Sequence, residues 1–150
     1  MLLQLNAAPM TLRNLVYWLP TIAWMGLIFI LSSRQTVQTT EFYLADFILK
    51  KTAHLLEYAV LATLIYHSLK NTHPLSQDKI FTLAFTLTLL YAISDETHQL
   101  YVPHRTGTVR DIFIDAIGGY IALYYISTYH LKLPGDLKTL LKRINNFFGK

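Results

Sequence analysis

Ser94-Asp95-Glu96-Thr97-His98-Gln99-Leu100-Tyr101-Val102-Pro103-His104-Arg105, followed by Asp111 and Asp115, is the stretch that decides how this chain is read. It sets carboxylates, histidines and arginines between two strongly apolar runs. Ionisable groups at the edge of a hydrocarbon-length helix are costly. They are therefore a functional-site hypothesis by default.

The surrounding composition sets the class. The chain has 150 residues, 53% hydrophobic and only 15% charged. Average soluble domains carry about 25% charged residues. A low charge fraction with long apolar runs indicates an all-α integral membrane protein forming one domain over residues 1–150. There is no cysteine, which excludes disulfides and thiolate metal sites. The net charge is +4, but the basic residues flank apolar segments. That is the pattern of a membrane protein, and nucleic acid is not an expected partner. No motif calls for a cofactor.

Four transmembrane helices are expected, over about 13–31, 50–69, 79–99 and 109–129. The first apolar run, Leu15 to Leu31, exceeds the roughly 7–15 apolar residues of a signal sequence and reads as a retained helix. Pro20 sits inside it, which bilayer helices tolerate. Phe42-Tyr43-Leu44 and Phe47-Ile48-Leu49 suggest a short interfacial segment before the second helix. The apolar part of the third, Ile80 to Ile93, falls short of the roughly 20 residues needed to span. That helix must continue through Asp95 and His98 to about Gln99. Thr108-x-x-Asp111 reads as a capping box opening the fourth. After Pro134-Gly135, Leu137, Leu140, Leu141, Ile144 and Phe148 recur at helical spacing among Lys138, Lys142 and Arg143. This predicts a C-terminal amphipathic helix over about 136–148, lying on the membrane surface.

Basic residues set the expected orientation. Arg13, Lys70, Lys79, Lys132, Lys138, Lys142, Arg143 and Lys150 share one side; Arg34, Lys50, Lys51, Arg105 and Arg110 share the other. The larger set places both termini in the cytoplasm.

Three helix ends then meet on the outer side. The second helix brings Lys51, His54, Glu57 and Tyr58. The third brings Asp95, Glu96, His98 and Gln99. The fourth brings Arg110, Asp111 and, about 6 Å deeper along the axis, Asp115. Spacings of three and four place the members of each set on one helix face. Several readings are open. An internal salt-bridge network of Glu57, Asp95, Asp115, Arg105 and Arg110 would make the cluster structural, with Asp111 a helix cap and Lys51 snorkelling. His54, Glu57, Asp95 and His98 are ligand types that a divalent ion accepts. Arg105, Arg110 and Lys51 could hold an anionic or polar head group, with His54, Asp95 and His98 as candidate proton donors or acceptors. His104 and Thr106-Gly107-Thr108 would add donors. Nothing in the pattern separates binding from catalysis.

Three blocks in order resemble the VanZ-like family of small bacterial membrane proteins. They are Lys51-x-x-His54-x-x-x-Tyr58-x-x-Leu61, Ser94-Asp95-Glu96-x-His98-Gln99-x-x-Val102-Pro103-x-Arg105 and Asp111-x-x-x-Asp115-x-x-Gly118. Ile30-Leu31-Ser32-Ser33 also looks like the segment after that family's first helix. The resemblance covers about residues 15–128. His104 stands where the family usually has glycine. The resemblance implies a four-helix fold in a bacterial plasma membrane. It also implies an association with resistance to the glycopeptide teicoplanin.

The expected role is therefore in the cell envelope: an outward-facing polar site that binds or modifies an amphiphilic or lipid-linked molecule. Expected partners are membrane lipids and a lipid-linked or glycopeptide-type amphiphile. The alternative is a structural or accessory protein whose cluster only holds the helices together. A proton-coupled transporter is the third class, disfavoured by so few helices and by the lack of a discontinuous-helix pattern. Gly118-Gly119 would permit close packing in an oligomer.

Overall fold

A computed structural model describes residues 12–34, 43–103 and 105–129. These form four helices and no strand: α1 Leu12–Ser32, α2 Tyr43–Thr72, α3 Gln77–Gln99 and α4 Val109–Tyr129. His104 and the expected amphipathic tail lie outside the described residues.

The helices run alternately up and down. At one end, Ser32 of α1 bonds Asp95 of α3, and Lys51 of α2 meets Asp111 of α4. At the other end, Gln77 Nε2 donates to the Ser127 carbonyl at 2.7 Å. The Ser68 hydroxyl there lies 2.8 Å from the Tyr17 carbonyl and 2.9 Å from Thr21 Oγ1. These bonds fix the α1–α2 register one turn from Pro20, through which α1 continues as helix.

α2 is central and packs against the other three helices. α3 packs chiefly against α2 and α4, while α1 and α4 do not meet and occupy opposite flanks. Close approach rests on small residues, as in helix packing inside a bilayer. α3 buries Ala84, Thr88 and Ala92 at four-residue spacing. α4 buries Gly118 and Gly119. A Cβ at Gly118 would collide with the Leu55 backbone carbonyl, and one at Gly119 would press on the Thr88 methyl. The glycine pair is therefore used for close packing inside the protomer.

One expectation is corrected. Of the residues set apart as an interfacial segment, Tyr43-Leu44 and Phe47-Ile48-Leu49 are in the first turns of α2, which is unbroken from Tyr43, and Phe42 lies outside the described residues. Phe47 is held there under Lys51 and Arg110, its ring centroid 5.7 and 5.2 Å from the two cations. Among the described residues, only Asn14–Ser32 and Val109–Tyr129 are long and apolar enough to cross a membrane, not all four helices. The reason is composition: polar and ionisable residues such as His54, Glu57 and His67 in α2 and Asp95 and Glu96 in α3 interrupt their apolar runs.

Candidate functional site

The polar residues of α2, α3 and α4 do converge at one end, joined by Ser32 and the last turn of α1. They form two groups on either side of Tyr58.

The first group lies toward α1. Asp95 is 3% exposed. Its Oδ2 accepts from Ser32 Oγ at 2.9 Å and from Gln99 Nε2 at 3.0 Å. Asp95 and Gln99 are one helical turn apart, so the amide reaches back along its own helix. Both donors use the same oxygen, and Oδ1 has no partner among the described residues. His98 packs its ring on Phe29, centroids 4.5 Å apart. His54 Nδ1 stands 3.6 Å from Glu57 Oε2, too long for a hydrogen bond. The backbone carbonyl of Glu57 accepts from Trp24 Nε1 at 3.0 Å, which ties this turn of α2 to α1.

The second group lies toward α4. Lys51 Nζ is 2.6 Å from Asp111 Oδ2, with both side chains mostly buried. Thr108 caps α4, its Oγ1 accepting the Asp111 N–H at 3.2 Å. The return bond of a capping box would run from Asp111 to the Thr108 N–H. Here Glu96 of α3 makes that bond instead, at 2.8 Å. The loop passes this close to α3 because residue 107 is glycine; a Cβ there would strike the Glu96 carbonyl. Asp115, one turn deeper, is 0% exposed, and neither of its carboxylate oxygens has a partner among the described residues.

Tyr58 sits between the groups, 0% exposed, its hydroxyl also without a partner. It lies within coulombic reach of both Asp95 and Asp115, and Asp115 within reach of Glu96 and Asp111. The site thus holds five carboxylates, Glu57, Asp95, Glu96, Asp111 and Asp115, and Lys51 pairs with one of them, Asp111. A buried carboxylate without a matching donor is expensive.

The arginines stand apart. Arg105 donates from Nε to the Arg34 carbonyl and from Nη2 to the Leu31 carbonyl, each at 3.0 Å. It thus closes the C-terminal end of α1, where carbonyls lack helical partners and the dipole favours a cation. It does not join a carboxylate network. The Arg110 side chain is 63% exposed, against Phe47 and 3.5 Å from Asp111 Oδ1. The four residues weighed as a metal set do not form one: among the described residues, no three His, Asp or Glu side chains form a group able to hold a metal ion. Ser32, Trp24 and Phe29 were missed as neighbours of the site. The signal available was the Ile30-Leu31-Ser32-Ser33 segment, which lies within the resemblance without an ionisable residue to mark it.

Four helices, two of them long and apolar enough to cross a membrane, around a partly unsatisfied acidic interior make a small all-α protein. The chain belongs to the VanZ/LLP1 family, whose model matches residues 17–130. That span contains all three motif blocks. No curated protein and no solved structure matches the chain.

Proposed function

We propose that this chain is a polytopic protein of a bacterial plasma membrane, with four spanning helices and both termini in the cytoplasm. Its acid-lined end faces outward and binds or modifies an amphiphilic or lipid-linked molecule of the cell envelope. Tolerance to the glycopeptide teicoplanin is one consequence. Family membership supports the envelope setting. Large apolar side chains exposed on every helix support spanning by all four: Ile22 and Phe29, Leu56 and Val60, Leu87 and Leu90, Ile117 and Ile121. Water would penalise such a surface and lipid would not.

One observation carries the site reading. Asp115, Tyr58 and Asp95 Oδ1 are buried polar groups with no partner among the described residues. A cluster serving only to join helices would satisfy its own members. Part of the cluster does serve that way, through Lys51–Asp111, Glu96–Thr108 and Ser32–Asp95–Gln99, and this favours the accessory-protein reading as the competitor. Asp115→Asn tests the choice, because it keeps the shape and removes the charge. The expected result is a folded, inserted protein that no longer confers glycopeptide tolerance or retains lipid. Wild-type behaviour in this variant supports the scaffold instead.

A further inference from the structure

Of the cations around the acids, Lys51 is engaged on Asp111 and Arg105 on the two carbonyls closing α1. Arg110 is turned outward beside Phe47. The buried polar atoms left without a partner among the described residues are both oxygens of Asp115, one of Asp95, the Tyr58 hydroxyl and the Nδ1 atoms of His54 and His98. When ionised, the three carboxylate oxygens among them only accept. Asp115, Asp95 and Tyr58 are each more than nine-tenths buried. They come from three helices, and Tyr58 lies within coulombic reach of both acids. His54 and Glu57 stand beside them with side chains 20% and 23% exposed, which offers a partly open edge.

We propose that the moiety recognised here is a cation bearing N–H donors, a primary ammonium, held by Asp115, Asp95 and Tyr58, and not a phosphate. This rests on the amphiphile-binding reading above and names the chemistry of the head group. An ammonium has three donors and no acceptor. It would meet carboxylate oxygens and a hydroxyl that have no donor among the described residues, and it would bring positive charge to carboxylates that Lys51, held on Asp111, does not pair with. A charge-assisted bond of this kind is the stronger sort. A quaternary ammonium has the charge without the donors, so it fits less well.

The ammonium can come from a lipid head group or from a free amine, and one experiment separates them. Purify the full chain in detergent and measure its retention of fluorescent phosphatidylethanolamine, phosphatidylcholine and phosphatidylglycerol, with and without millimolar ethanolamine as competitor. The expected result is selective retention of the ethanolamine lipid. Asp115→Asn lowers retention about tenfold, the effect of losing one charge-assisted bond. Tyr58→Phe lowers it less. The Tyr58 hydroxyl has no partner among the described residues, so this variant folds even if an acid variant does not. Asp78→Asn, at the far end of α3, leaves retention unchanged. Competition by ethanolamine identifies a free amine as sufficient; its failure to compete identifies the whole lipid as the source. Preferential retention of phosphatidylglycerol overturns the ammonium proposal and leaves the amphiphile reading standing. Equal retention of all three lipids by wild type, or undiminished retention by folded Asp115→Asn and Tyr58→Phe, does the same. Retention of no lipid and no amine overturns both.

Discussion

Glu96 of α3 accepts the backbone N–H of Thr108 at 2.8 Å, so one helix completes the cap of the next. The bond couples the end of α3 to the start of α4 and fixes the loop between them. Glu96→Ala removes the acceptor and is expected to cost about 1–2 kcal/mol, the range of a lost cap. Glu96→Gln retains a carbonyl oxygen and recovers most of that. Thermal unfolding of the purified variants in one detergent gives the comparison, and equal losses in both would show that charge matters more than the cap.

Lys51 and Asp111 form the closest ion pair described, at 2.6 Å and mostly shielded from solvent. Lys51→Met leaves Asp111 with only the exposed Arg110 nearby. The expected loss is about 1–3 kcal/mol, between the limits for surface and fully buried pairs. Lys51→Met combined with Asp111→Leu removes both charges and regains part of it. A double-mutant cycle on unfolding measures the coupling, and strict additivity would count against the pair.

Arg105 reads from sequence as a carboxylate partner or head-group clamp, yet its fork grips two carbonyls of α1. Lysine keeps the charge but loses the planar two-point contact. Arg105→Lys is therefore expected to lower stability by about 1 kcal/mol and Arg105→Ala by about 1–3, the worth of hydrogen bonds to a charged group. Hydrogen exchange should rise at the last turn of α1 in both variants. Unchanged protection there would remove Arg105 from that role.

Gly118 and Gly119 are adjacent but should respond differently. A Cβ at 118 meets backbone, which cannot turn aside, and one at 119 meets the Thr88 methyl at 3.0 Å. Gly118→Ala must separate α2 from α4 and is expected to cost about 1–3 kcal/mol or more, as overpacking does. Gly119→Ala should cost less, because a side chain can shift. Yield and unfolding temperature of the two variants check the order.

The orientation has a direct check. A reporter active only in the cytoplasm, fused after residue 150, should be active. The same reporter inserted at residue 104 should be silent. Activity only at residue 104 would reverse the membrane sidedness.

Helix identity and the location of the polar site were available from the linear chain. Apolar runs and the cap residue Thr108 are local signals, and the spacing of Lys51, His54, Tyr58, Asp95 and Asp115 puts each set on one helical face. The three blocks also sufficed to place the chain in its family. What only the packed helices decided is which polar group meets which. Sequence spacing says that Asp111, Glu96 and Arg105 lie near the same membrane depth. It cannot say that Lys51 takes Asp111, that Glu96 crosses to the cap of α4, or that Arg105 turns to the end of α1. Nor could it show that the glycine pair is buried within the protomer, or that α2 begins at Tyr43 with Phe47 under two cations. Helix periodicity is a property of one segment, whereas partner choice depends on the rotation and register of two. A difference of one residue along α3 would turn Glu96 away from Thr108 and change which oxygens are left without a donor.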